Sequence, residues 1–230
     1  MKDQPLAVVL LSGGMDSCVA AALTRSTHRL AFLHASYGQR TESRELKAFH
    51  DIADFYHVQH RLAITLGHLS AIGGSSLTDS SMPVPDADFG SRGIPTSYVP
   101  FRNANFLSAA VSWGEVLGAS AICVGAVEED SSGYPDCRAE FFDAFNHVIR
   151  TGTKSSGPQV VTPVVGMSKA EIVLRGRALG APLQVTWSCY RRDDVACGTC
   201  DSCARRLRGF QLAGFDDPIP YVHKPVFAAQ

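Results

Sequence analysis

The chain has 230 residues, 45% of them hydrophobic, and its 21 basic and 22 acidic side chains leave a formal net charge of -1. That is enough apolar content for one sizeable core and a small appended module. The near-zero charge excludes a global basic field that would gather nucleic acid or an anionic membrane, so a small-molecule partner is expected.

The first apolar run, Leu6 to Leu11, reads as a strand. It is too short to span a membrane and no small-residue cleavage site follows it, so a cytoplasmic protein is expected. The run enters Ser12, Gly13 and Gly14, and Asp16 and Ser17 then open a helix. Taken alone, a Gly-Gly pair is a turn with Asp16 or Ser17 capping the helix. Between a strand and a helix, glycines let the backbone approach an anion, which the N–H groups of the turn and helix start can cradle. A carboxylate beside a phosphate needs a divalent cation between them, so Asp16 points to a metal-bound nucleotide pyrophosphate.

Further strands are expected at Leu30 to Ala35, His60 to Thr65 and Ala121 to Val127. A helix from about Thr41 to His57 carries Leu46, Phe49, Ala53 and Tyr56 on one face, and another after Arg102 carries Phe106, Ala110, Trp113 and Leu117. Ser168 and Glu171 form a capping box before Ile172 and Leu174. Strands alternating with helices predict an α/β fold with a largely parallel sheet. Residues 66 to 100 are rich in Ser, Gly, Pro and Asp, the composition of a lid, a partner surface or a disordered loop. A shorter loop, Glu128 to Cys137, follows a strand end, where ligands of open α/β sheets sit. Cys18 and Cys123 read as core, and His34 and His60 as satisfied buried residues.

After Val185 the character changes to cysteines and arginines, so residues 1 to 185 are read as the main domain and 186 to 230 as a small module and tail packed on it. Cys189, Cys197, Cys200 and Cys203 have spacings that let four thiolates converge on one tetrahedral ion, a structural zinc site with no open position. An iron–sulfur cluster and unligated redox thiols are the rival readings. Gly198 suits the turn between ligands, and Arg191, Arg192, Arg205, Arg206 and Arg208 surround the knuckle.

The pattern S-G-G-x-D-S at Ser12 to Ser17 resembles the PP-loop of the N-type ATP pyrophosphatases, which cut ATP between its α and β phosphates. "SYGQR" at 36 to 40, "YVPFRN" at 98 to 103, "SGYPDCRAEFF" at 132 to 142, "TPVVGMSKAEI" at 162 to 172 and "TWSCY" at 186 to 190 resemble the 7-cyano-7-deazaguanine synthase family of queuosine-precursor biosynthesis. The likeness runs from residue 8 or so to about 208. It implies a Rossmann-like sheet of the adenine nucleotide α-hydrolase type with flanking helices and a C-terminal zinc knuckle. It further implies ATP-dependent conversion of 7-carboxy-7-deazaguanine and ammonia to the nitrile through an adenylated acid and an amide, with Mg-ATP, one structural zinc and a homodimer. The ATP-binding stretch would be Leu11, Ser12, Gly13, Gly14, Met15, Asp16, Ser17, Cys18, Val19, Ala20 and Ala21.

Asp16, Ser17, Arg102 and Lys169 are the expected catalytic residues, the last two as cationic partners of phosphate or carboxylate. Tyr134, Asp136, Arg138 and Glu140 are the candidates to read the deazapurine, since a carboxylate accepts two hydrogen bonds from a guanine-like edge and an aromatic ring stacks on the bicycle. Cys137 is expected as a pocket wall. Phe101 stands where the family usually has glycine, which would alter the pocket. Two other readings remain: a different PP-loop amidase or tRNA modifier, and a zinc-knuckle RNA-binding protein.

Overall fold

The computed structural model describes residues 4–91, 93–128 and 133–227. Ser132 and part of the loop expected between Glu128 and Cys137 lie outside them, as does Arg92. Five parallel strands, β1 (Leu6–Leu10), β2 (Arg29–Ser36), β3 (His60–Thr65), β4 (Ala121–Val124) and β5 (Gln159–Val161), lie in the order β3-β2-β1-β4-β5. β1 is buried along its whole length, as the unbroken Leu-Ala-Val-Val-Leu run requires of a strand covered on both faces.

The described α-helices are α1 (Met15–Thr24), α2 (Glu42–Phe55), α3 (His68–Ile72), α4 (Arg102–Leu117), α5 (Ala139–Gly152), α6 (Lys169–Ala178) and α7 (Asp201–Leu212). The two-residue alternation of the strands sorts them into layers. Val9, Phe32 and Cys123 meet Val19, Phe49, Ile52, Ile172 and Phe210, from α1, α2, α6 and α7. Val8, Leu33, Ile122 and Val124 meet Leu107, Ala110, Phe142 and Ile149, from α4 and α5. Strand order reverses between β1 and β4, and a crevice opens beyond their C-terminal ends.

The expected strand to Val127 stops at Val124, because the chain turns away at Gly125. A Cβ on Gly125 would fall 2.6 Å from the backbone N and Cα of Ser17, so a glycine here lets the start of α1 press on the end of β4. His60 lies exposed on the edge strand rather than buried. His34 is buried, and its Nδ1 donates to the Leu11 carbonyl (3.1 Å) while Nε2 has no partner among the described residues.

The described residues between 66 and 100 form a strap anchored at both ends by buried residues rather than a loose loop. Leu69, Leu77 and Val99 form a small core with Tyr37, and Ser75 and Ser76 are fully buried. The Arg40 guanidinium holds the carbonyls of Ser76, Asp79 and Met82 at 2.6 to 2.8 Å. At its far side the strap reaches the cysteine module: Ala87 N–H donates to the Thr199 carbonyl (2.8 Å), and Arg191 donates to the Val84 carbonyl and to Asp86.

Candidate active site

The turn after β1 forms one end of the crevice. Gly13 has φ +89°, and a Cβ there would sit 2.6 Å from the Glu45 carbonyl oxygen, so the left-handed turn is open only to glycine. Gly14 N–H donates to Ser12 Oγ (3.2 Å), and Ser17 Oγ donates to the Gly14 carbonyl (3.0 Å) while lying 3.1 Å from Ser12 Oγ. Gly14 is the residue before α1, and no side chain caps that helix. The capping alternative for Asp16 and Ser17 is therefore not what the fold adopts, and the helix presents bare N–H groups at the crevice.

Asp16 lies in the first turn of α1, and its Oδ2 accepts a 2.7 Å hydrogen bond from Lys169 Nζ. Lys169 is placed by α6, whose start is fixed by the expected capping box: Ser168 Oγ accepts from Glu171 N–H while the Glu171 carboxylate accepts from Ser168 N–H. Asp16 Oδ1 is buried with no partner among the described residues. A buried carboxylate oxygen left open beside an uncapped helix start fits a magnesium ion, which takes few protein carboxylates and relies on phosphate oxygens for the rest.

The other end is aromatic and cationic. Arg102 opens α4, its Nη1 donates to the Tyr37 hydroxyl (3.1 Å), and its guanidinium lies 5.4 and 5.6 Å from the ring centres of Tyr37 and Phe106. Burial opposes its charge, and Tyr37, Tyr134, Cys137 and Tyr190 around it outweigh that effect. Arg102 Nε is buried without a partner among the described residues. Tyr134 pairs with Ser97 through their hydroxyls (2.8 Å) and packs on the Tyr98 ring. Asp16, Ser17, Arg102, Lys169 and Tyr134 all line one crevice, together with Tyr37, Glu45, Cys137 and Tyr190. Burial pushes the Cys137 thiol up to about 11, which suits a wall rather than a nucleophile.

Three candidate deazapurine readers fall elsewhere. Asp136 is buried, and its carboxylate accepts the Asn103 backbone N–H (2.9 Å), closing the start of α4 instead of facing the crevice. Arg138 and Glu140 are exposed at the start of α5, 3.5 Å from one another, outside the crevice lining. Phe101 also stays outside: it holds φ +57° just before α4, is 60% exposed, and meets the ring of Phe141 edge-on. The expectation that it reshapes the pocket gives way to a surface position. Tyr37, Glu45 and Tyr190 lie in or near "SYGQR" and "TWSCY", stretches whose residues had been given no role in the site.

The four clustered cysteines are buried, and all four sulfurs lie within 4.8 Å of one another. Tetrahedral thiolates at zinc–sulfur distances near 2.3 Å are about 3.8 Å apart; Cys197 and Cys203 sulfurs stand at 3.9 Å. All seven cysteines are free. The donor set fits a closed metal site. Around it, Val222 and His223 N–H groups donate to the carbonyls of Ala196 and Cys197, so the tail wraps the knuckle. Arg206 and Asp217 form a fully buried bidentate pair (2.7 and 2.9 Å) beneath it. Trp187 N–H donates to the Gly13 carbonyl (2.8 Å), joining the module to the turn after β1.

The family model described as Queuosine biosynthesis protein QueC matches residues 6–214, a span that includes both ends of the crevice and all four cysteines. The chain belongs to the QueC family. Within it, the chain is 58% identical over 223 residues to the 7-cyano-7-deazaguanine synthase of Chlorobium luteolum, covering 96% of this chain and 98% of the relative. It is also 58% identical over 223 residues to that of Chloroherpeton thalassium, covering 96% and 99%. Among solved structures, NMN synthetase from Francisella tularensis is similar over 93% of this chain and 78% of its own, at 12% identity and a TM-score of 0.48, too low to bear on the site. No described helix is long and apolar enough to cross a membrane.

Proposed function

We propose that this protein converts 7-carboxy-7-deazaguanine and ammonia to 7-cyano-7-deazaguanine, using ATP, in the crevice between β1 and β4. The observation that carries the reading is the joining, in one crevice, of an uncapped S-G-G-x-D-S turn with Asp16 and Lys169 to a Tyr-lined recess holding Arg102. The QueC relatives, named 7-cyano-7-deazaguanine synthase, match over nearly the whole chain.

The α1 N–H groups and the hydroxyls of Ser12 and Ser17 hold the pyrophosphate of ATP. Asp16 would hold magnesium, which supplies charge neutralisation on the phosphates when bound. Lys169 orients Asp16 through the 2.7 Å hydrogen bond from its Nζ. Arg102 draws in the substrate carboxylate and aligns it on the α-phosphate, with Tyr37, Tyr134 and Tyr190 walling the deazapurine. The carboxylate attacks the α-phosphorus, pyrophosphate leaves, and ammonia displaces AMP to give the amide. The amide oxygen attacks a second ATP, and loss of AMP gives the nitrile. Two ATP are used for each product.

The four cysteines would hold one structural zinc, with no catalytic step at a closed thiolate site. Residues 186–230 are read as a module on the ATP-binding domain of 1–185. Free cysteines suit a cytoplasmic enzyme. A homodimer with no nucleic-acid partner completes the reading. Mass spectrometry of a reaction with magnesium-ATP, ammonium and the carboxylate tests it: nitrile, AMP and pyrophosphate are expected, and ATP turnover without any nitrile overturns the substrate.

A further inference from the structure

Two carboxylates of the crevice lining have no part in the steps above: Asp201, which is paired with Arg205 (2.9 Å), and Glu45. After β2 the chain turns at Gly38 and Gln39 folds back, its Oε1 accepting the Tyr37 backbone N–H (2.8 Å). That bond fixes the amide orientation, so Gln39 Nε2 donates to Glu45 Oε2 (3.1 Å). Glu45 Oε1 lies 2.7 Å from Thr41 Oγ, which lies 3.1 Å from the Cys189 carbonyl oxygen. A hydroxyl has one proton, and here it faces two acceptors. With Glu45 ionised, Thr41 donates to it. With Glu45 protonated, its proton goes to Thr41 Oγ and the Thr41 proton goes to the Cys189 carbonyl. The same heavy-atom positions therefore serve both protonation states.

We propose that Glu45 is the acid–base residue of the crevice, taking up the proton that leaves nitrogen when ammonia is acylated and again when the amide becomes a nitrile. This rests on the synthase reading. In the first step the nitrogen lone pair forms the C–N bond, an N–H proton passes to the Glu45 carboxylate, and the C–O bond to AMP breaks with its electron pair on AMP. In the second, two N–H protons leave in turn as the C≡N bond forms and the C–O bond to the second AMP breaks. Glu45 accepts each and returns it to water between steps.

The surroundings suit that task. Burial raises the Glu45 acid, hydrogen bonds from Thr41 and Gln39 and the Arg102 charge on α4 lower it, and Glu42 on its own helix raises it, leaving it at about 7. Tyr37 faces it from the turn after β2, and its own hydroxyl is pushed by burial up to about 12, so it stays neutral. A base titrating near neutrality is matched to proton transfer at physiological pH.

The test compares wild type with Glu45→Gln, which keeps the shape and the Gln39 contact. Pyrophosphate exchange into ATP with the carboxylate reports the first adenylation, and amide and nitrile formation report the nitrogen steps. Glu45→Gln should keep exchange within a few-fold, lose about 10²- to 10⁴-fold in nitrile formation, and lose a limb near pH 7 in the wild-type profile. Glu45→Asp should recover part of the rate and the limb. Stability gives a readout independent of turnover. A folded acid raised from the ordinary 4.5 to about 7 gives stability that is present below 4.5 and lost as pH rises through 7. Glu45→Gln should therefore melt higher than wild type at pH 8 and not at pH 5. Nitrile formation retained by Glu45→Gln, or equal loss of exchange and nitrile, overturns the role. A wild type that exchanges pyrophosphate yet makes no nitrile overturns the parent reading and this role with it.

Discussion

At the end of the crevice to which we assign the phosphates, the residues from Ser12 to Ser17 offer consecutive backbone and side-chain groups, with Lys169 added from α6. The other end is assembled from Tyr37 after β2, Glu45 on α2, Arg102 on α4, Tyr134 before α5 and Tyr190 in the cysteine module. A local turn keeps its geometry as long as its own strand and helix hold. A recess made of distant segments depends on whatever packs those segments together. Here that is the strap over 66 to 100 and the knuckle it meets, through Arg191, Val84 and Asp86. The two ends should therefore fail separately.

The largest effect is expected at the local end. Asp16→Ala leaves the fold intact and removes the one carboxylate in the phosphate turn, so nitrile formation and pyrophosphate exchange should both fall by about 10³-fold or more, as for loss of a charge-stabilising group. Circular dichroism together with exchange kinetics checks this, and retained exchange would separate Asp16 from the phosphate chemistry. Stripping the knuckle with a chelator comes next. Elemental analysis should find one metal per chain, identified as zinc, and its removal should lower the melting temperature. In partly stripped protein KM for the carboxylate should rise more than KM for ATP, because Tyr190 and the strap are lost before the turn.

Arg102→Met tests the assembled end alone. Loss of a charged hydrogen bond to the substrate carboxylate, worth about 1.5–3 kcal/mol, predicts a 10- to 150-fold rise in KM for the acid with KM for ATP nearly unchanged. An equal rise in both would mean that Arg102 serves the phosphates. The smallest effect is at Phe101. Glycine there relieves a left-handed backbone cost of about 1–2 kcal/mol and gives part of it back in chain entropy and the lost Phe141 contact. Phe101→Gly should thus stabilise by no more than about 1 kcal/mol in thermal melts, with steady-state rates within two-fold of wild type.

The same contrast explains what could be read from the sequence. β3 and the Ser168–Glu171 capping box were legible because the signals are local, and so was the convergence of the four spaced cysteines. α5, with Phe142 and Ile149 on its buried face, and the three-residue β5 were not assigned. Asp136 was misplaced because its partner, the Asn103 N–H, is 33 residues away and invisible in any window. The strap looked loose by composition, yet Arg40 and Arg191 supply its carbonyls with donors from outside the segment. Glu45 was missed although Gln39 and Thr41 lie within six residues, because its burial and the Arg102 charge come from tertiary packing.

The central claim is that the substrate oxygen attacks the α-phosphorus at the Ser12–Ser17 turn in both halves of the reaction. It is tested most directly with 7-carboxy-7-deazaguanine carrying oxygen-18 in both carboxylate oxygens, following the label by mass spectrometry. The prediction is that each AMP released carries one labelled oxygen and that pyrophosphate carries none. Label appearing in phosphate or pyrophosphate would place activation at another phosphorus and contradict the account.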